Sequence, residues 1–297
     1  GATSDMTVKS VYITERLELP ADDGGANVGG AEDAAEAIVA DPPVGDSDGI
    51  VFLPVTPRGS IDIDGTTFDV EPFYIAKYET TNAQYAAFVQ AADGFDDPAW
   101  WNDMPAEYSP PQRGLSAPRN GLPNAPRETV SWYQAVAFTR WLSARMGAKN
   151  ADISSGGLLV NGVEWEVRLP AEWEWQWAAQ GGAEEREYPW GDWQGGHANT
   201  DEAGVGATKA VGSYPLGAAA CGALDMSGNV WEWCLNKLDS PHSTTVDTTN
   251  ELRVLRGGSF NDSREGAALS VRCYGHLARP YYVWRYLGFR VGLFSAP

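Results

Sequence analysis

An α+β fold with much irregular chain is predicted by three observations. Three segments carry their own helix-capping signals, short apolar runs lie between them, and long stretches are punctuated by Pro, Gly and Asn. The first helix opens at Thr81-Asn82-Ala83-Gln84, which has capping-box form, and Tyr85, Phe88 and Val89 follow at helical spacing. Ser131-Trp132-Tyr133-Gln134 repeats the device and opens a second helix, carrying Val136, Phe138, Trp141 and Leu142, that stops near Gly147. A third begins after Pro170 and runs through Trp173, Trp177 and Ala178 to a glycine stop at Gly181-Gly182. Strands are expected at Val51-Phe52-Leu53, Phe73-Tyr74-Ile75, Arg253-Val254-Leu255 and from Gly288 to Leu293. Ala92 to Thr129, rich in Pro, Gly and Asn, reads as ordered loop.

The 297 residues suit one substantial core with a tail. Globular texture starts at Ile50 and continues to Pro297, which sets a domain of residues 50–297 after an N-terminal part of residues 1–49. In that part Val8 to Leu19 alternates as a strand that docks back on the core. Residues 20–49 hold Asp, Gly, Ala and Pro with almost no large side chains, too little apolar surface to offset ordering entropy, and are expected to form a linker or mobile arm.

A formal charge of -19 argues against unassisted binding to nucleic acid or anionic membranes, and makes cations, calcium among them, the natural companions. No apolar run approaches membrane-spanning length, so direct membrane insertion is not expected. The start lacks a signal-peptide hydrophobic segment; a cell-surface or extracellular location requires a leader or lipid anchor already removed. Cys221, Cys234 and Cys273 are an odd count without CxxC spacing, so neither a disulfide scaffold nor a zinc site is indicated, and one bridge and buried free thiols both stay open. Thirteen Trp and twelve Tyr give contact area at low entropic cost, which suits irregular cores and binding surfaces alike.

Six ordered blocks carry a family resemblance: Phe73 to Asn82, Val130-Ser131-Trp132, Arg168 to Glu174, Tyr188 to Asp192, Asp225 to Trp233, and Arg256-Gly257-Gly258-Ser259 with Gly288-Phe289-Arg290. Together they resemble the formylglycine-generating-enzyme (sulfatase-modifying factor) family over about residues 50 to 295. The resemblance implies a C-type-lectin-like fold of the formylglycine-generating-enzyme type. Catalytic members hold copper with two cysteines shortly after Arg-Gly-Gly-Ser. The matching positions here are Asp262 and Ala267, or Ser263 and Ala268 with one residue of slippage, and neither register supplies a thiolate. Cuprous copper is soft and requires such ligands, so copper and the oxidase chemistry are not expected. Cys273 resembles a later family cysteine outside that pair. Ala171 stands where relatives usually have a capping Thr, a loss of roughly 1 kcal/mol. The sulfoxide-synthase branch uses an iron-binding histidine set, whereas this chain has only His197, His242 and His276, widely spaced.

The resemblance also implies calcium. One expected site uses Asp225 and Glu232 side chains with the Gly228 and Val230 carbonyls, a hard-oxygen set. The other uses Asn199 and Thr200, an acidic residue from Asp201 or Glu202, and a carbonyl near Val205.

Between Arg-Gly-Gly-Ser and Gly-Phe-Arg lies a segment, residues 260–287, crowded with Tyr, Trp, Arg and His. Rigid amphipathic rings and Arg with small polar residues between them have the chemistry of a paratope. The candidate ligand-binding residues are Phe260, Asp262, Ser263, Arg264, Tyr274, His276, Tyr281, Tyr282, Trp284, Arg285 and Tyr286. The competing assignment packs these rings into the core, most readily Tyr281 and Tyr282, because Pro-Tyr-Tyr is common in relatives. The layout is similar to the variable proteins of diversity-generating retroelements, which place a mutagenised segment between the same two motifs. The function expected from this is a noncatalytic ligand-binding or display protein that recognises a protein or other macromolecular ligand through the C-terminal segment. The alternatives are a metal-dependent oxidoreductase of the superfamily and a structural lectin-like subunit of a larger assembly.

Overall fold

The computed structural model describes residues 11–12, 38–40, 49–110, 112, 114–147, 158–160, 163–273 and 275–295. In chain order the strands are β1 (Val11–Tyr12), β2 (Ile38–Ala40), β3 (Val51–Val55), β4 (Gly59–Ile63), β5 (Thr66–Val70), β6 (Phe73–Ala76), β7 (Leu158–Val160), β8 (Val163–Arg168), β9 (Trp231–Lys237), β10 (Arg253–Arg256), β11 (Leu287–Gly288) and β12 (Gly292–Ser295). The helices are α1 (Asn82–Gln90), α2 (Trp132–Gly147) and α3 (Glu172–Gln180).

Strand β6 is apolar at every position because both of its faces are covered. Tyr74 and Ala76 face a core built with α1 and α2 around Tyr85, Phe88, Trp132, Phe138 and Phe289. Phe73 and Ile75 face the other side, against Trp175 and Trp177 of α3 and Phe294. Alternation along the strand thus divides one run of side chains between two cores. The large sheet has the order β1-β2-β3-β6-β12-β8-β7 and is antiparallel throughout. A smaller sheet, β10-β9-β11, pairs β9 antiparallel to β10 and parallel to β11. Strands β4 and β5 form a hairpin.

The capping signals are realised. Thr81 Oγ1 accepts from the Gln84 N–H at 3.3 Å, and Gln84 Oε1 accepts from the Thr81 N–H at 2.9 Å. Ser131 and Gln134 make the same reciprocal pair at 3.2 and 3.0 Å. Gly181 ends α3 in the left-handed region, at φ 81°. Ala171 has no side-chain acceptor to give, and the deficit is met from outside the helix: Asn236 Oδ1 on β9 accepts from the Glu172 N–H at 2.8 Å. Glu174 still reaches back to the Ala171 N–H at 2.7 Å.

Two expectations need correction. The run from Gly288 to Leu293 is not one strand: β11 and β12 belong to different sheets, because the chain between them turns Arg290 into the interior. Within residues 20–49, Ile38–Ala40 pairs with both β3 and β1, so part of the expected arm is a sheet strand; the rest of that segment lies outside the described residues. Val8 to Leu19 is described only at Val11–Tyr12, which is indeed a strand. The loop from Ala92 to Thr129 holds two 3-10 turns, Pro98–Trp101 and Ala106–Tyr108, and is fixed by local bonds such as Trp101 Nε1–H to the Phe95 carbonyl at 2.9 Å. Among the described residues the three cysteines form no disulfide. Among the described residues no helix is long and apolar enough to cross a membrane.

Candidate functional site

The frame around the C-terminal segment is organised by one buried cation. Arg290 donates from Nε and Nη2 to the two carboxylate oxygens of Glu232, each at 2.6 Å, and to the carbonyls of Ala76 at 3.1 Å and Leu224 at 2.9 Å. Trp175 Nε1–H adds a bond to Glu232 at 2.8 Å. A bidentate pair with its remaining donors satisfied is the arrangement in which burial of two charges is tolerated. Glu232, expected as a calcium ligand, has both carboxylate oxygens bonded to the Arg290 guanidinium.

Two further carboxylates crowd the same region. Burial, with Asp225 and Glu232 nearby, drives the Glu79 pKa well above the ordinary carboxylate range, against Arg290 and a bond from Asn229. Glu79 accepts from Asn229 Nδ2 at 2.6 Å and the Val230 N–H at 3.2 Å, which fixes the backbone of the Asp225-to-Trp233 block. Burial also pushes Asp225 up to about 6, opposed by the Gly212 N–H, which it accepts at 2.6 Å, and by Arg290. Gly228 has φ 82°, and a Cβ there would stand 2.5 Å from the Asn199 carbonyl oxygen, so this block lies directly on the loop from Asn199 to Val205.

In that loop Asn199 and Thr200 are buried, while Glu202 and Val205 are exposed. Thr200 Oγ1 donates to Glu202 at 2.7 Å, and the other Glu202 oxygen accepts from the Arg264 N–H at 2.8 Å. The Asn199 amide donates to Asn229 Oδ1 and the Ala207 carbonyl, both at 3.0 Å, and its own Oδ1 is buried without a donor. Among the described residues no group of three or more His, Cys, Asp or Glu is arranged to hold a metal ion.

The C-terminal segment leaves the frame at a glycine pair. Gly258 has φ 74°, and a Cβ would meet the Ala267 Cα at 2.8 Å, so neither the angle nor the space admits another residue. Asp262 then closes the turn. It is half-buried and accepts from Trp231 Nε1 at 2.9 Å and from the Ser259 N–H at 3.0 Å. Its carboxylate serves the frame. Phe260, expected on the binding surface, is only 2% exposed, because the ring lies under the segment with the Arg285 guanidinium 5.4 Å from its centroid.

Beyond this base several side chains are exposed. Ser263 and Arg264 are exposed and engage Glu265 at 2.8 and 2.7 Å. His276 is exposed and meets Tyr282 edge-on at 5.3 Å. Tyr282 stacks with Trp284 at 6.1 Å, and Trp284 meets Tyr286 at 6.2 Å. Trp284 is 46% exposed, Arg285 is exposed, and Tyr282 and Tyr286 are half-buried. Tyr281 stacks on Tyr108 at 4.9 Å, which stacks on buried Tyr133 at 5.6 Å. Tyr274 lies outside the described residues.

Main-chain bonds hold this strip in place. The N–H groups of Thr129, Trp132 and Trp231 donate to the carbonyls of Trp284, Pro280 and Tyr286 at 3.1, 3.0 and 2.8 Å. The scaffold therefore grips the backbone; Tyr282 and Tyr286 pack partly against the core, and Trp284, which meets both, is the ring left exposed. Glu79, Arg290 and Asn236 are structural residues that sequence reasoning missed. Arg290 stands as a lone charge inside an otherwise apolar run, Leu287 to Val291, but neither it nor Glu79, two residues after Lys77, shows its partner in the local sequence.

A buried Glu–Arg clamp, a glycine-built turn and much irregular chain between sheets define a formylglycine-generating-enzyme type of fold. Residues 55–292 match the sulfatase-modifying factor enzyme 1-like domain, and the chain belongs to that family. It is 32% identical over 243 residues to a formylglycine-generating enzyme of Streptomyces coelicolor, covering 65% of this chain and 69% of that one. It is 29% identical over 226 residues to the inactive C-alpha-formylglycine-generating enzyme 2 of Mus musculus, covering 67% of each. In fold it is similar to Treponema denticola variable protein 1, with a TM-score of 0.58 and 21% identity over 85% of this chain and 97% of that chain.

Proposed function

We propose that this protein is a noncatalytic ligand-binding or display protein that recognises a macromolecular ligand through the surface of residues 261–286, of the kind diversified by retroelements. One observation carries the reading: exposed Trp284 is flanked by half-buried Tyr282 and Tyr286 in a row of neighbouring rings on a backbone gripped by the frame. Such rings lose little entropy on binding and are typical interface anchors. Asp262 and Ala267, at the positions where catalytic relatives have cysteines, offer a carboxylate already bonded to the frame and a methyl group. The test is selection of a displayed peptide library on the protein. Bound peptides should lose on the order of 2 kcal/mol, about thirtyfold, with the Trp284→Ala/Tyr286→Ala variant. Equal binding to both proteins would move recognition elsewhere. A template copy of the DNA for residues 260–287 close to the gene is the independent genetic check on diversification.

Calcium enters the proposal at the second expected site. Asn199 Oδ1, a buried hard acceptor with no donor, fits a Ca²⁺ ion, with Thr200, Glu202 and the Val205 carbonyl as neighbours on the same loop. A bound ion would stabilise the base on which Arg264 rests. Chelation should lower the melting temperature, by an effect equivalent to roughly 2.7 kcal/mol where calcium had been in hundredfold excess over Kd. An Asn199→Ala variant whose melting still responds fully to chelator would remove this site.

A further inference from the structure

The charges around the aromatic row point to the chemistry of its ligand. Residues 260–287 hold four Arg against two carboxylates, and residues 109–128, in the loop that leads into Thr129, hold three Arg against one, in a chain whose formal charge is -19. The carboxylates of both stretches are already engaged. Asp262 serves Trp231 and Ser259, Glu265 is paired with Arg264, and Glu128 accepts from the backbone of Arg119 and Asn120 and from Thr129. Arg119, Arg279 and Arg285 are exposed, and among the described residues none of the three is in an ion pair. The loop of Arg119 is tied to the row, because Glu128 holds its backbone and the adjacent Thr129 donates to the Trp284 carbonyl at 3.1 Å. It also exposes Leu115 and Leu122, at 37% and 57%.

We propose that this surface takes an acidic protein segment in which aromatic or aliphatic side chains alternate with carboxylates. The inference rests on the ligand-binding reading above and names its ligand class. The rings and leucines would bury the apolar side chains, and the guanidinium forks would bind the carboxylates bidentately. A basic segment would meet unpaired Arg at contact distance and is disfavoured here. The acidic body repels an acidic partner only at long range, where salt screens it over about 8 Å, whereas contact pairs are screened far less.

The experiment selects a displayed random-peptide library on the full chain and on three variants: Trp284→Ala/Tyr286→Ala, Arg119→Glu/Arg285→Glu, and Arg119→Lys/Arg285→Lys. Thermal melts confirm that each is folded. Peptides enriched on the wild type should carry Asp or Glu flanking aromatic or aliphatic residues. Their affinity should fall by about tenfold or more with the Glu variant and by less with the Lys variant, since charge survives there and the fork does not. Neutral or basic peptides, or equal affinity for the Glu variant, overturn the acidic-ligand inference while loss with Trp284→Ala/Tyr286→Ala keeps the surface itself. Peptides that bind this aromatic variant equally, or no enrichment over it, overturn both readings. Reversible self-association that the aromatic variant abolishes would assign the surface to a second copy of this chain and likewise overturn the inference.

Discussion

Strand β9 and the row from Tyr282 to Tyr286 are neighbours, joined by a backbone bond from Trp231 to the Tyr286 carbonyl, yet they use side chains in opposite ways. Every residue of β9 is buried, and the strand is held by what its side chains do: Glu232 grips Arg290, Trp233 Nε1–H reaches the Val130 carbonyl at 3.0 Å, and Asn236 caps α3. The row is held by main-chain bonds and by partial packing of Tyr282 and Tyr286 on the core, and Trp284 is the ring that stays exposed. Identity is thus demanded where side chains satisfy buried polar groups, and is freer at an exposed position such as Trp284.

The largest effect should come from Arg290→Ala. It strands the Glu232 carboxylate and the carbonyls of Ala76 and Leu224, and urea unfolding should show a loss of roughly 3–5 kcal/mol. Trp231→Ala should cost about 3 kcal/mol by the same measurement, since the ring is 5% exposed and also bonds Asp262.

A third effect depends on pH. Burial raises Asp225 to about 6 in the folded state, so the fold favours its protonated form. The contribution is fully present below the unfolded value, about pH 4, and is lost as pH rises through 6. In chelator, stability should therefore gain on the order of 2 kcal/mol from this group on acidification from pH 7 to 4, and Asp225→Asn should flatten that slope. An unchanged slope in the variant would place the titration elsewhere in the frame.

The smallest change in stability should belong to Trp284→Ala, less than about 0.5 kcal/mol. If thermal melts show it as damaging as Trp231→Ala, the contrast between frame and row is broken and the row is core.

Local patterns made much of this legible. The caps at Thr81 and Ser131 and the stop at Gly181 need only three or four neighbouring residues, and all three are realised. The alternation within β6 could be read as a strand, although not as a divider between two cores. What escaped depends on partners far apart in sequence. Glu79 meets Asn229, 150 residues away, and Arg290 meets Glu232, 58 away, so no local spacing announces either. The calcium reading of Glu232 did not include Arg290 for that reason: the partner lay in another block. Phe260 was misplaced because an aromatic after Ser259 reads the same from above or below the segment. That Trp284 is exposed while Tyr281 stacks on Tyr108 was not legible either, because both depend on loops far away in sequence.

Strand β12 follows the C-terminal segment in the chain and sits between β6 and β8, in the interior of the large sheet. Any version of the segment that shifts the reading frame or stops translation early forfeits that strand, splits the sheet and leaves Tyr74 and Trp165 without their covering neighbour. Were the segment diversified as proposed, folding would double as proofreading, since a copy with a broken frame could not complete the sheet.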